Sequence, residues 1–82
     1  MSQMIQVLTK DQMRADIAAQ IGLAPEEIEA DESLVDQGLD SMQVMTLLMQ
    51  WGEVIQGLDF ARFMEAETLD DWWLIAEQAQ SA

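Results

Sequence analysis

A chain of 82 residues with one proline has room for a single domain with a small core. Its formal charge of −13, from 16 acidic residues against Lys10, Arg14 and Arg62, repels phosphate backbones and anionic headgroups, so nucleic acid and membrane surfaces are poor partners and a protein with a basic face is the natural complement. Half of the residues are hydrophobic, which favours folding in spite of the charge, and the lack of cysteine removes disulfide frameworks and thiolate metal sites.

Leu8, Thr9 and Gln12 open the first helix, with Thr9 as N-cap, Gln12 as its capping-box partner and Leu8 placed to staple onto Met13. Met13, Ile17 and Ile21 then recur at helical spacing until Gly22 supplies the stop. From Leu23 to Leu39 the stretch "LAPEEIEADESLVDQGL" has no sustained helical period, although "APEEI" suits a short turn with Pro25 at its first position. A connection this long in so small a domain is functional or flexible, and Leu23, Ile28, Leu34 and Leu39 are able to tack it to the core.

The second helix starts inside "LVDQGLDSMQVM". Asp40 is its N-cap, Gln43 reaches back as box partner, and Leu39 is placed to staple onto Val44, which makes Ser41 the first helical residue, exposed at the positive end. The run extends to about Trp51 or Ile55, with Gly52 weakening the last turn. After "GLDF", Phe60, Phe63 and Met64 predict a short third helix, and Thr68 with Asp71 caps a final one whose Leu69, Trp72, Trp73 and Ala76 face inward. With no period-2 strand pattern and no repeat, the expected fold is all-α: four helices, one short, with a long first loop. No apolar stretch approaches the roughly 20 residues of a membrane span. The N-terminus also lacks a basic signal-peptide head, so the expected location is cytoplasmic.

Catalysis by this chain alone finds little support. A serine nucleophile needs a neighbouring base, normally histidine, and the sequence has none, while Lys10 lies in the first turn of helix one with nothing tying it to Ser41. The acid-rich "DESLVDQGLDSM" lacks the ligand spacing and sixth-position glycine of a calcium loop from either Asp31 or Asp36. From the residues alone Ser41 is either an ordinary first-turn residue or a hydroxyl that is acted upon. The second reading suits a phosphate ester, since a helix start offers unpaired N–H groups and a positive dipole end. Asp36 and Asp40 would oppose that phosphate, so the enzyme delivering it is expected to bring a metal ion.

"GLDS" at Gly38, Leu39, Asp40 and Ser41, followed by Met42 and an apolar helix and preceded by a long acidic loop, resembles the phosphopantetheine attachment site of acyl, peptidyl and aryl carrier proteins. "GLDSMQVM", Trp51, "LDF" at Leu58 to Phe60 and "DDWW" at Asp70 to Trp73 resemble most the aryl carrier branch found at the end of bifunctional isochorismatases of siderophore assembly, over roughly residues 9 to 77. One departure is Met42, where carriers often have leucine. The resemblance implies a four-helix acyl-carrier-like bundle forming one carrier domain over 1–82, with a core of about 9–79, either freestanding or excised from a longer protein. It implies a phosphopantetheine arm on Ser41 whose thiol holds the substrate as a thioester, which accounts for the missing cysteine: the cofactor brings the reactive group and the protein presents it.

Helix two also bears on partners. Gln43, Thr46, Gln50 and Glu53 form a narrow polar stripe, and the rest is more apolar than one core-facing side requires. Val44, Leu47, Leu48, Trp51 and Ile55 make the better core set, and the tryptophans are expected inside. Met42, Met45 and Met49 then line a flank, either as further core or as an adaptable contact surface one turn from Ser41. By resemblance, Met45, Phe60 and Met64 are the partner-facing positions. The implied partners are a phosphopantetheinyl transferase, an aryl-adenylate ligase, and a condensation or cyclization domain of a nonribosomal peptide synthetase, met by a monomer. The expected function is an aryl carrier protein. The alternatives are a carrier of an aminoacyl or aliphatic acyl group, an acidic helical adaptor without prosthetic group, and, most remote, an enzyme.

Overall fold

The computed structural model describes residues 7–81, with side chains to residue 80. Four helices follow one another: α1 (Lys10–Ile21), α2 (Ser41–Gly52), α3 (Phe60–Glu65) and α4 (Leu69–Ser81), with a single 3-10 turn at Pro25–Glu27 in the long first connection. The described residues contain no strand. The all-α bundle with a short third helix and a long first loop is therefore the fold.

Each helix starts where a side-chain oxygen accepts one of the amides that a helix leaves unpaired. Thr9 Oγ1 accepts from Gln12 N at 3.1 Å, Asp40 Oδ1 from Gln43 N at 2.8 Å, Asp59 Oδ1 from Ala61 N at 3.1 Å, and Thr68 Oγ1 from Asp71 N at 3.1 Å. The box expected at the start of α1 is only half formed, because the Gln12 side chain donates instead to Asp16 Oδ1 one turn ahead. α1 ends as its glycine predicts: Gly22 has φ 74°, a left-handed conformation open to glycine, and both Gly22 N and Leu23 N donate to Ala18 O.

The first connection lacks helical period yet follows a defined path. Ile28, Leu34 and Leu39 are each only 1% exposed and belong to the core. Leu23, expected to join them, stands at the surface, since it follows directly on the left-handed turn that ends α1. The Gln37 side chain clasps the loop, accepting from Glu29 N and donating to Glu29 O, while Arg14 Nη1 donates to Ile28 O. Leu34 N donates to Glu67 O and Asp70 N to Ala30 O, which stitches the loop to the α3–α4 turn. Burying a Leu or Ile contributes about 1.5–3 kcal/mol, against about 1 kcal/mol net for a hydrogen bond. The three apolar anchors therefore hold the loop, and the hydrogen bonds choose its route.

The core is built on a triangle of rings from α2, α3 and α4. Trp51 and Trp72 meet edge to face with centroids 5.7 Å apart, and Phe63 lies 6.1 Å from Trp51 and 5.6 Å from Trp72. A buried indole N–H needs an acceptor, and both find one: Trp51 Nε1 donates to Asp16 Oδ2 of α1 at 2.9 Å, and Trp72 Nε1 to the carbonyls of Phe63 and Ala66. Trp73, also expected inside, is only half-buried. Consecutive helical residues lie about 100° apart, so with Trp72 in the core Trp73 is left at the edge, beside Val7, Leu8 and Gln80.

Trp72→Phe keeps a ring in the triangle but removes the donor to two carbonyls at the end of α3. It should lower unfolding free energy by about 1–3 kcal/mol, read as a drop in urea midpoint with an unchanged slope. An unchanged midpoint would show that these hydrogen bonds do not secure the turn.

Candidate functional site

The α2 start shows why Ser41 differs from an ordinary surface serine. Of the first amides of the helix, Gln43 N donates to Asp40 Oδ1 at 2.8 Å and Asp40 N donates to Gln43 Oε1 at 3.0 Å, a complete reciprocal box. Gln43 Nε2 also donates to Gln20 O at 2.7 Å, which holds the helix start against the last turn of α1. The amides of Ser41 and Met42 have no hydrogen bond among the described residues, and they flank the exposed Ser41 side chain. Ser33, by contrast, is half-buried, and its Oγ accepts a long turn contact from Asp36 N at 3.4 Å.

The residues around the serine have separable parts. Gly38 takes φ 119°, a conformation L side chains rarely adopt, and a Cβ there would meet Ile21 only at 4.0 Å, so backbone geometry rather than space demands glycine. Leu39 then enters the core at 1% exposure, Asp40 caps, Ser41 stands in solvent, and Met42 is 78% exposed.

Among the described residues, no base is assembled on Ser41. Lys10 Nζ donates to Asp70 Oδ1 at 2.6 Å, and Arg14 is engaged with Ile28 O. The arrangement suits a hydroxyl that receives a group. A phosphoryl ester on Oγ would lie beside two unpaired amides and the positive helix end, an interaction of about 0.3–1 kcal/mol at an exposed site. Capping uses one oxygen of Asp40 and leaves its charge in place, so the residues present fit a phosphate ester through the two amides and the helix end, against the repulsion of Asp40. Among the described residues, no helix is long and apolar enough to cross a membrane.

The methionines Met42, Met45 and Met49 lie outside the core, at 78%, 42% and 63% exposure, and Met64 on α3 is 52% exposed. Val44, Leu47, Leu48, Trp51 and Ile55 are all buried, as the spacing of α2 predicts. Phe60 is placed differently: it is half-buried, packed against the core, with its ring near Gly52. A pocket of about 160 Å³ opens beside the serine, lined by Ser41, Leu34, Val35, Phe63, Met64 and Ala66 among others. Val35 in the same wall is 67% exposed, at a position that no helical spacing singles out. Its one signal was two adjacent apolar residues in a polar loop, of which a single one can be buried.

Removal of the cap should act on this site first. Asp40→Ala is expected to cost about 1 kcal/mol of stability, while Asp40→Asn retains most of it; thermal unfolding of the three proteins decides. Equal losses in both variants would show that the cap does not hold the α2 start.

Residues 11–72 match the family described as the phosphopantetheine attachment site. The chain is 33% identical to the acyl carrier protein ScoB of Streptomyces coeruleorubidus, over 89% of this chain and 86% of that one. It is 36% identical to an isochorismatase of Bacillus subtilis (strain 168), over 80% of this chain and 21% of the relative. It is 40% identical to enterobactin synthase component B of Escherichia coli (strain K12), over 52% of this chain and 15% of the relative. The chain thus spans most of the first relative's length but only about a fifth and about a seventh of the two longer ones. No solved structure matches it. With three quarters of its length in the family match and a carrier protein aligned nearly end to end, the chain belongs to the phosphopantetheine attachment family: it is a carrier protein with a covalent phosphopantetheine group, acted on by enzymes rather than being one.

Proposed function

We propose that Ser41 carries the phosphopantetheine arm and that the chain presents an aryl acid, of the salicylate or 2,3-dihydroxybenzoate type, for nonribosomal siderophore-type assembly. The observation that carries the attachment site is the exposed hydroxyl of Ser41 at the α2 start, beside the amides of Ser41 and Met42 that the Asp40–Gln43 box leaves unpaired. The aryl part rests on "GLDSMQVM", "LDF" and "DDWW", and on relatives named isochorismatase and enterobactin synthase component B. The carrier unit is placed over 1–82 with its core at about 9–79, as a cytoplasmic monomer.

The arm supplies a thiol on which an acid is held as a thioester; the chain's residues supply position. Gln43 and Asp40 fix the α2 start, Leu39 anchors the segment before it, and the unpaired amides favour the phosphate end. Load selection lies with the enzyme that docks, so it is a difference of affinities between partners. The proposed partners are a phosphopantetheinyl transferase, an aryl-adenylate ligase and a condensation or cyclization domain. Met42, Met45, Met49 and Met64 would provide an adaptable apolar contact near Ser41, with Phe60 supporting the end of α2, while the acidic surface steers basic partners.

The test is parallel loading of the holo protein by an aryl-adenylate ligase with its aryl acid, an aminoacyl adenylation domain with its amino acid, and a fatty acyl carrier synthetase with a fatty acid. Aryl thioester should form fastest, and Met45→Glu should slow onward transfer to a condensation partner at least tenfold, in line with hot-spot losses of about 2 kcal/mol, with circular dichroism unchanged. Faster loading by either other enzyme removes the aryl assignment. Unimpaired transfer by Met45→Glu removes the methionine from the docking face.

A further inference from the structure

The methionines of this chain are unevenly placed. Met42 follows Ser41 directly, Met45 lies one helical turn beyond the serine and Met49 one turn further, and all three stand exposed on α2. Met64 of α3 is exposed as well and lines the same wall as Ser41. The remaining methionine among the described residues, Met13, is fully buried in the core. The first loop and α4 contain none, and the chain has no cysteine. Accessible thioether is therefore gathered, among the described residues, on the two helices that border the serine.

We propose that Met42, Met45, Met49 and Met64 are a site of reversible oxidation by peroxides, and that their sulfoxides close the face around Ser41 to the enzymes that act on it. The inference rests on reading that face as a docking surface. A thioether is nucleophilic without losing a proton, so the step needs no base from the protein. The sulfur lone pair attacks one oxygen of hydrogen peroxide, an S–O bond forms as the O–O bond breaks, and the proton on the transferred oxygen passes to the departing hydroxide, which leaves as water. Sulfur is oxidised by two electrons and the peroxide is reduced by two. The product puts a polar, chiral group where a flexible apolar one stood, and methionine sulfoxide reductases reverse it. An enzyme bound over Ser41 must cover Met42 and Met64, which border it, and a sulfoxide pressed against an apolar face without a hydrogen-bond partner opposes that contact. The fold is spared, because none of the four belongs to the core and close packing shields Met13. A purely sacrificial role is the competing account. Scavenging would be served by methionine anywhere on the surface, whereas these four lie only on α2 and α3.

The experiment treats the apo protein with hydrogen peroxide, so that no arm thiol is present to react, removes the peroxide and maps sulfoxides by peptide fragmentation. Arm attachment from coenzyme A by a broad-specificity phosphopantetheinyl transferase is then followed, with the arm located by mass. Sulfoxide is expected at Met42, Met45, Met49 and Met64 and not at Met13. KM for the carrier should rise about tenfold or more, the effect of one unpaired polar group at an interface, with kcat unchanged, the mark of lost binding. The melting temperature should stay within about a degree of the untreated protein, and methionine sulfoxide reductases for both epimers should restore KM. The variant Met42→Leu/Met45→Leu/Met49→Leu/Met64→Leu, compared with its own untreated form, should not respond to peroxide; it retains Met1, Met4 and Met13, so an effect of those residues would show there. The proposal is overturned if the four residues resist oxidation, if their sulfoxides leave KM as it was, if the loss tracks unfolding, or if the leucine variant loses as much. Met42→Gln/Met45→Gln/Met49→Gln/Met64→Gln, with a permanent polar group at each position, separates the two ways of failing. A raised KM in that variant beside an unaffected sulfoxide protein overturns this inference alone. Parental KM in both, or an arm located on a residue other than Ser41, overturns the docking reading with it.

Discussion

The ring triangle of Trp51, Phe63 and Trp72 is the constraint from which the rest of the domain follows. Each ring comes from a different helix, and each indole N–H must be satisfied where it is buried. Trp51 reaches Asp16 and so draws α1 onto α2; Trp72 reaches the carbonyls that end α3 and so fixes the α3–α4 turn. That turn in turn receives the first loop, through Leu34 N to Glu67 O and Asp70 N to Ala30 O. With Trp51, Val44, Leu47 and Leu48 inside, the rotation of α2 is set, and Ser41, Met42, Met45 and Met49 are left outside.

The parts of this arrangement that were legible in the sequence are those written in local spacing. The caps at Thr9, Asp40 and Thr68 lie within three residues of the amides they accept from, so the helix starts could be read directly. The serine's exposure followed from the same arithmetic. What the sequence did not disclose depends on partners far along the chain. The Gln37 clasp, the Gln43 contact to Gln20 O, the burial of Ile28 but not Leu23, and the pocket wall at Val35 all need the three-dimensional path of the first loop. Two misreadings have a simpler cause. Adjacent Trp72 and Trp73 cannot share one face of a helix, and the Gln12 side chain had a competing partner in Asp16 at i+4.

The division of labour in a carrier also explains the composition. A protein whose reactive thiol belongs to its cofactor has no need of cysteine or histidine for that chemistry, and its own residues serve presentation and recognition. Recognition by several enzymes favours a surface that repacks at low cost, which methionine supplies through its unbranched, polarizable side chain. The charge of −13 works at longer range, hastening encounter with basic faces more than tightening any one complex. The fold thus keeps its rigid contacts inside and leaves a soft, acidic exterior around one fixed hydroxyl.

That the hydroxyl is Ser41 is the central claim, and the most direct measurement is intact mass with peptide fragmentation after incubation with coenzyme A and a broad-specificity phosphopantetheinyl transferase. The account predicts the addition of one phosphopantetheine, located on Ser41 and absent from a folded Ser41→Ala protein. Addition that persists in Ser41→Ala, or that maps to Ser33, would contradict it.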